Sequence, residues 1–308
     1  MATIRDIATL SGYSVTTVSR VLNNHPYVAE EKRNKILKII RDLDYIPSTK
    51  ARDLSRGKST HIAVMIPYTN HPYTDKIVSG ILRAAFNDGY KVTLLPTNYN
   101  PTVEKQYLDD LAAKAWDGMI ITSKKISFER IEGYLKYAPI VCCEDTGSFS
   151  IPCISIKREQ SYIDLFTRLK KQGYQHIGLT VGRTENESAS TDLVLKTYKK
   201  ILGVLDESMV FRNCYLYEDG VQAGRYFSTI KKLEVIVTNG DDVAAGILQH
   251  LSKDQVKVIG EENLLSSTLL NFSTIDHHLD HCGEAAFQLL LRKEIKTEIM
   301  PYTFIERI

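Results

Sequence analysis

The fold of the N-terminal region is decided by one stretch, Asp6-Ile7-Ala8-Thr9-Leu10-Ser11-Gly12-Tyr13-Ser14-Val15-Thr16-Thr17-Val18-Ser19-Arg20-Val21-Leu22-Asn23. Thr3 begins a capping-box pattern for a first helix, Gly12 ends that helix, and Ser14 caps a second one. Two short helices joined by a glycine-containing turn form a helix-turn-helix. The second helix begins with small polar residues and carries Arg20 further along, so it suits base edges and phosphates in a DNA major groove.

Two further segments extend this unit on its carboxyl side. A third helix is predicted from about residue 29 to residue 42. Its inward-facing positions are predicted to be Ile36, Leu37, Ile39 and Ile40. Pro47 stops the next turn, residues 48–54 fit one more short helix, and residues 56–59 read as a linker. The sequence therefore predicts an all-α head over residues 1–46 and a hinge helix with linker over residues 47–60.

Charge is distributed unevenly along the chain. Residues 1–60 contain eleven Lys and Arg against six Asp and Glu, a net charge of +5, and the remaining residues carry −3. A basic head on a mildly acidic body indicates that the head binds a polyanion, although an ordinary solvated basic surface would give the same count.

After His61 the pattern changes to short apolar strands that alternate with helices. Such runs occur at residues 62–66, 119–121, 140–143, 176–181, 235–237 and 256–259. Continuous apolar strands between helices favour parallel sheets covered on both faces, and their number predicts two α/β lobes. Within residues 61–308 we expect lobe 1 to comprise about 61–157 plus about 266–290. Lobe 2 is expected to comprise about 158–265 plus the C-terminal segment.

Composition and motifs exclude several classes of protein. Of the 308 residues, 43% are hydrophobic and 25% charged, as in folded soluble proteins. No run approaches 18 consecutive apolar residues and the N-terminus lacks the apolar core of a signal peptide, so we expect no membrane span and a cytoplasmic location. The five cysteines form no C-x-x-C pair, and we expect reduced, mostly buried thiols.

Signatures of catalysis and metal binding are missing from the sequence. There is no Walker A, G-x-S-x-G or H-E-x-x-H motif, so we expect no enzyme. The run His277-His278-x-x-His281-Cys282 has ligand-type residues at close spacing, but nothing elsewhere in the sequence completes a set. We interpret the run as a polar helix start and expect neither a metal nor a cofactor.

The head and several core runs together resemble the lactose/galactose-repressor (LacI/GalR) family. The head matches in its Asp-Ile-Ala and Thr-Val-Ser-Arg-Val-Leu-Asn runs, and residues 43–47 and 51–54 are similar to the family's hinge. Similar core runs occur at residues 116–120, 173–177 and 241–246. The resemblance covers essentially the whole chain. It implies a helix-turn-helix head followed by a two-lobed, periplasmic-binding-protein-like α/β core with parallel sheets that binds an effector and dimerises.

The resemblance also implies DNA contacts for individual residues. Base contacts in the major groove are implied for Val15, Thr16 and Arg20. Phosphate contacts are implied for Ser14, Thr17 and Ser19. Leu54 would wedge into the minor groove with Ala51 packing beside it, because an apolar wedge unstacks a base step and bends the duplex. Since each head reads one half-site, we expect a homodimer on a palindromic double-stranded DNA operator.

For the core, the resemblance implies two lobes that close over a small ligand at the carboxyl ends of parallel strands. By position, Glu144 and Asp241 match family residues that contact effector hydroxyls. Tyr73 and Thr122 match residues that line the side of the first lobe. These four are the candidate effector-binding residues.

Departures from the family pattern bear on the identity of the effector. Val194 and Thr197 lie where the family often has an arginine and a glycine, and residues 260–263 read Gly-Glu-Glu-Asn in place of Gly-Phe-Asp-Asp. Without that arginine, the pattern favours an anionic or phosphorylated effector, or no small effector, over a neutral sugar. The cations that could bind an anion are Lys157, Arg158, Arg183 and Lys196.

The sequence thus predicts a DNA-binding transcriptional regulator that acts as a repressor and responds to a sugar or a phosphorylated sugar between its lobes. No leucine heptads follow Ile308, so we expect a dimer rather than a tetramer. Three alternatives stay open: a regulator controlled by a protein corepressor, a sugar-binding protein that does not read DNA, and an enzyme acting on a sugar in the same cleft.

Overall fold

The computed structural model describes residues 2–46, 59–184 and 188–307. The chain separates into two compact units, with the boundary between Ser59 and Thr60. The predicted hinge helix, with Ala51 and Leu54, lies outside the described residues, so the roles given to these two residues stay predictions.

Within residues 2–46, the N-terminal unit contains three helices, α1 (Ile4–Ser11), α2 (Val15–Leu22) and α3 (Glu30–Asp42). The predicted capping box is present: the Asp6 N–H donates to Thr3 Oγ1, and the Thr3 N–H donates to the Asp6 carboxylate. Gly12 ends α1 with a φ of 75°, a left-handed conformation that glycine adopts without strain.

A small apolar core joins these helices. It consists of Ile7, Ala8, Val18, Val21 and Ile36. Ile39 and Ile40 pack against it as predicted, but the prediction for Leu37 is wrong, because this side chain is 37% exposed. Positions 36, 39 and 40 share one face at helical spacing, whereas position 37 lies about 100° away around the helix.

The described part of the second unit contains two six-stranded sheets. The strands of the first sheet are β1 (His61–Ile66), β2 (Lys91–Pro96), β3 (Met119–Ile121), β4 (Ile140–Cys142), β5 (Cys153–Ile156) and β11 (Thr297–Met300). Its spatial order is β11-β5-β4-β3-β1-β2, and its described pairings are all parallel. The helices packed around it are α4 (Pro72–Asn87), α5 (Pro101–Ala112), α6 (Phe128–Glu132) and α12 (Leu279–Arg292).

The strands of the second sheet are β6 (Ile177–Thr180), β7 (Val210–Phe211), β8 (Val235–Val237), β9 (Lys257–Glu261), β10 (Ser273–Asp276) and β12 (Thr303–Ile305). Its order is β12-β10-β9-β8-β6-β7, parallel in its described pairings except for β12 against β10. Its helices are α7 (Arg158–Lys171), α8 (Ala189–Leu202), α9 (Tyr217–Phe227), α10 (Asp241–Ile247) and α11 (Leu265–Leu269), with a 3₁₀ turn at Glu207–Met209. The predicted fold class is confirmed.

The division of the C-terminal region between the lobes differs from the prediction. Residues 266–290 were expected in lobe 1, but α11 and β10 belong to lobe 2, and only α12 lies in lobe 1. The chain then adds β11 to the first sheet and returns to add β12 to the second. Parallel strands that are buried on both faces look alike in sequence, so the pattern does not reveal which sheet a late strand joins.

No helix within the described ranges is long and apolar enough to cross a lipid bilayer. All five cysteines are free and buried, as expected for thiols that pack as small apolar side chains.

Candidate functional site

Helix α2 presents a polar face and buries an apolar one. Val18 and Val21 are buried in the core of the head, while Ser14, Val15, Thr16 and Arg20 are exposed. Thr17 and Ser19 are half-buried. The six predicted DNA-contact residues of this helix therefore all keep surface that a partner can reach.

The N-terminus of α2 is fixed by its cap. The Thr17 N–H donates to Ser14 Oγ at 3.2 Å, and the two side-chain oxygens are 3.0 Å apart. Lys32 and Lys35 lie over the Tyr13 ring, 5.6 and 5.5 Å from its centroid, so two cations flank the turn that leads into the helix. Free N–H groups at a helix N-terminus and nearby cations both favour binding of phosphate.

A cavity of about 690 Å³ lies between the two lobes of the second unit. It is lined by residues that directly follow the parallel strands, among them Pro67, Thr122, Cys143, Val181, Thr238 and Glu262. Its aromatic residues are Tyr68, Tyr73, Tyr99, Phe128, Tyr162 and Tyr215. The volume is that of a site for a small organic ligand, and its position at the carboxyl ends of the strands is where such ligands bind in α/β folds.

Three of the four predicted effector-binding residues, Tyr73, Thr122 and Glu144, line this cavity. The most distinctive is Glu144: its Oε1 is buried and has no hydrogen-bond partner among the described residues. Lys124 Nζ lies 3.8 Å from that oxygen and 3.7 Å from the centre of the Phe128 ring. Burial raises the pKa of Glu144, while the Lys124 charge opposes that rise.

The fourth predicted residue, Asp241, is not among the described residues that line the cavity. It is fully buried: Oδ1 accepts a hydrogen bond from Thr274 Oγ1 at 2.6 Å and Oδ2 accepts one from the Leu264 N–H at 2.6 Å. Burial raises its pKa to about 7. Asp241 therefore ties α10 to β10 and to the segment before α11, and in this structure it is not available to an effector.

Of the four predicted cations, Arg158 and Arg183 line the cavity, while Lys157 and Lys196 are not among its described lining residues. Lys196 instead pairs with Asp192 at 2.7 Å, one turn away on α8. Arg183 stacks over the Tyr99 ring at 3.9 Å, which joins lobe 2 to lobe 1.

Arg158 belongs to a buried charged network. Its Nη1 lies 3.0 Å from Glu261 Oε2, its Nη2 lies 3.5 Å from Glu262 Oε1, and its guanidinium faces the Tyr73 ring at 5.4 Å. The Tyr162 hydroxyl donates to Glu261 Oε1. Burial alone would raise the pKa of Glu262, but the neighbouring His277, followed by Arg158 and Lys76, holds it below its ordinary value.

Sequence reasoning did not identify Glu261 and Glu262 as site residues, although it noted their departure from the family pattern. The available signal was their position directly at the carboxyl end of an apolar strand run. Glu262 and the following Asn263 also have left-handed backbones, with φ values of 89° and 47°. Lys76 Nζ, on α4 in the other lobe, donates to the carbonyls of these two residues at 2.6 and 3.2 Å. This turn therefore joins the two lobes.

Comparison with known proteins gives a family for both units. Residues 3–48 match the model of bacterial regulatory proteins of the lacI family, and residues 59–294 match periplasmic binding proteins and the sugar-binding domain of the LacI family. Catabolite control protein B of Bacillus subtilis (strain 168) is 42% identical, with 96% of each chain covered. The NTD biosynthesis operon regulator NtdR of the same organism is 33% identical, with 93% of this chain and 91% of the relative covered. The lac repressor dimer bound to operator and the anti-inducer ONPF superimposes with a TM-score of 0.82 at 21% identity, covering 99% of this chain and 98% of that one. The chain belongs to the LacI family of bacterial transcriptional regulators.

Proposed function

We propose that this protein is a repressor that binds a palindromic operator as a homodimer and is controlled by a small uncharged polyhydroxyl ligand, of the sugar class, in the cavity. Membership of the family already makes it a DNA-binding transcriptional regulator and not an enzyme. The observation that carries the ligand class is the buried Oε1 of Glu144 in the cavity wall, which accepts no hydrogen bond from the described residues although Lys124 Nζ lies 3.8 Å from it.

The exposed polar face of α2 supports the DNA-binding part of the proposal. Val15, Thr16 and Arg20 are assigned to base edges, and the residues around the capped N-terminus to phosphates. Residues 47–60 would connect this head to the core, and a regulator that works on bacterial DNA would act in the cytoplasm. Selection of random duplexes by the full-length protein at two salt concentrations should enrich a palindrome whose binding weakens steeply with salt.

The cavity's charges favour an uncharged ligand over a phosphorylated one. Lys124 lies beside Glu144 and Arg158 is paired with two glutamates, so binding a phosphate through either would require that cation to leave its carboxylate. The third lining cation, Arg183, is stacked over the Tyr99 ring. Burial lowers the pKa of His71, which keeps this lining residue neutral. A phosphate group offers only acceptors, whereas a buried carboxylate oxygen that accepts no hydrogen bond requires a donor such as a sugar hydroxyl.

The test is calorimetric titration of the full-length protein with a panel of neutral sugars and their phosphate esters. We expect at least one neutral sugar to bind, and Glu144→Gln to weaken that binding by roughly tenfold to hundredfold, because hydrogen bonds to charged groups contribute about 1.5–3 kcal/mol. The matched control is Glu129→Gln, which changes an exposed carboxylate on α6 of the same lobe and should leave affinity unchanged. Binding restricted to phosphate esters would refute the ligand class.

A further inference from the structure

Three buried side chains of ligand type meet on the lobe 2 side of the cavity. They are Glu261, Glu262 and His277, and one ligand atom from each lies within 4.8 Å of the others. The two glutamates lie at the end of β9, and His277 follows the neighbouring parallel strand β10. The topology therefore brings together residues that are far apart in the sequence.

Hydrogen bonding around Ser161 fixes which nitrogen of His277 carries a proton. The Ser161 hydroxyl donates its single hydrogen to the Arg158 carbonyl at 2.8 Å. Its oxygen lies 3.3 Å from His277 Nε2, so at that contact Ser161 can only accept and Nε2 must donate. In a neutral imidazole, Nδ1 is then a bare lone pair.

That lone pair faces a carboxylate. His277 Nδ1 lies 3.3 Å from Glu262 Oε1, yet Nδ1 has no hydrogen-bond partner among the described residues, and neither does Glu262 Oε2. His277 is completely buried and Glu262 is 4% exposed. The Glu262 oxygen in this contact, Oε1, also faces Arg158 Nη2 at 3.5 Å, and Oε2 is the one left without a partner. A bare imidazole lone pair against a carboxylate oxygen inside a protein is destabilising unless a proton or a cation lies between them.

Arg158 does not meet this requirement. Its Nη1 and the Tyr162 hydroxyl hydrogen-bond to the two oxygens of Glu261, whereas its Nη2 is 3.5 Å from Glu262, at the outer limit of a hydrogen bond. The guanidinium thus mainly neutralises Glu261. The negative charge of Glu262 remains directed at the nitrogen of His277.

We propose that Glu262, His277 and Glu261 bind a divalent transition-metal ion, with Zn²⁺ as the best match. One imidazole nitrogen and carboxylate oxygens are a ligand set that Zn²⁺ accepts at about 2.0–2.2 Å. Ser161 supplies the outer-shell acceptor that orients a metal-binding histidine. Each carboxylate oxygen has a second lone pair, so Glu261 can bind the ion while keeping its hydrogen bonds.

Two consequences follow for the site. Both glutamates line the cavity, so the remaining coordination positions are reached by water or by an oxygen of a cavity ligand. Because Arg158 repels an added cation, we expect weaker binding than at a closed structural zinc site.

The competing arrangement is a proton on Nδ1, which would make His277 an imidazolium paired with Glu262 and would leave no metal site.

The first test is titration of metal-stripped, full-length protein with Zn²⁺, without DNA or sugar, so that its outcome is independent of the proposed effector. We expect one Zn²⁺ per chain at this site and at least tenfold weaker binding in His277→Gln and in Glu262→Gln. The matched control is His281→Gln, which changes an exposed histidine on α12 that pairs with Glu284 and lies beside the His278 ring, and it should leave the affinity unchanged. No Zn²⁺ bound by the wild type, or equal binding by His277→Gln, would overturn the proposal.

The second test does not depend on the folding of any variant. X-ray absorption of the Zn²⁺-loaded wild-type protein should show one imidazole nitrogen with carboxylate or water oxygens in the first coordination shell. A shell of oxygens alone, or one containing sulfur, would assign the ion to another part of the chain and refute the site.

Discussion

Replacing Arg20 with alanine should weaken binding to the selected operator by roughly tenfold to hundredfold per half-site, because a well-placed arginine–base pair contributes about 1–3 kcal/mol of discrimination. Binding to unrelated DNA should fall far less, since that binding depends on total phosphate neutralisation. Arg20 lies on the exposed face of α2, and the packing of the head depends on Val18 and Val21 instead. The head should therefore stay folded.

The measurement is a titration of operator and of scrambled duplex at one salt concentration, with the ratio of the two affinities as the readout. Arg41→Ala is the matched control, because Arg41 is an exposed arginine in the last turn of α3. Its loss should lower both affinities slightly and leave their ratio intact. If Arg20→Ala lowered both affinities equally, Arg20 would be a phosphate contact and not a base reader.

The head was predictable because its determinants are local. Thr3, Gly12 and Ser14 are caps and stop signals that act within one turn of their own position, and each does in the structure what the sequence predicts. The apolar spacing of Val18 and Val21 likewise defines the buried face without reference to the rest of the chain. Leu37 was misplaced because it adjoins Ile36 in sequence but lies on another face of the helix.

The cavity was only partly predictable because its residues come from many strand ends. Tyr73, Thr122 and Glu144 were placed in it through the family resemblance. From the sequence, Asp241 could not be distinguished from these three residues. A carboxylate at a helix start after a strand gives the same sequence pattern whether it faces a ligand or a buried threonine. Glu261 and Glu262 were missed for the opposite reason: they line the cavity, but no local motif marks them as site residues. Their chemistry depends on Arg158 and His277, which no local sequence pattern connects to them.

Contacts across the cavity connect ligand binding to the arrangement of the lobes. Lys76 of lobe 1 binds the carbonyls of Glu262 and Asn263 in lobe 2, and Arg183 of lobe 2 covers Tyr99 of lobe 1. A ligand that binds one arrangement of the lobes more tightly than another shifts the population toward the first. The size of the shift is set by the difference between the two binding free energies. The left-handed backbone at Glu262 is the kind of strain that is maintained at functional sites by surrounding contacts.

Asp241 should make the stability of the core fall as pH rises through the range between about 4 and about 7. Its pKa is raised by burial from 3.8 to about 7 in the folded protein, and the negative charge of Glu262 adds to that rise. Between those values the folded state binds the proton more tightly than the unfolded state, so its contribution is complete below the unfolded pKa and is lost as pH approaches the folded one. The slope is at most about 1.4 kcal/mol per pH unit.

Asp241→Asn should flatten this slope, and Asp241→Ala should destabilise the core by about 2–4 kcal/mol, because alanine leaves the Thr274 hydroxyl and the Leu264 N–H without their acceptor. Asparagine can accept from the Leu264 N–H and donate to Thr274 Oγ1, which resembles the protonated acid. The Asp241→Asn variant is expected to match the wild type near pH 4 and to exceed it in stability near pH 8.

Urea denaturation followed by circular dichroism from pH 4 to pH 8 gives the required free energies of unfolding. Gly260 is a second probe of the same contact, because a Cβ atom there would lie 1.9 Å from Asp241 Oδ1. Gly260→Ala should therefore lower stability at every pH, whereas Asp241→Asn should leave stability near pH 4 unchanged and raise it near pH 8. A wild-type slope that persists unchanged in Asp241→Asn would show that another group titrates, and the buried carboxylate would then have to be ionised throughout that range.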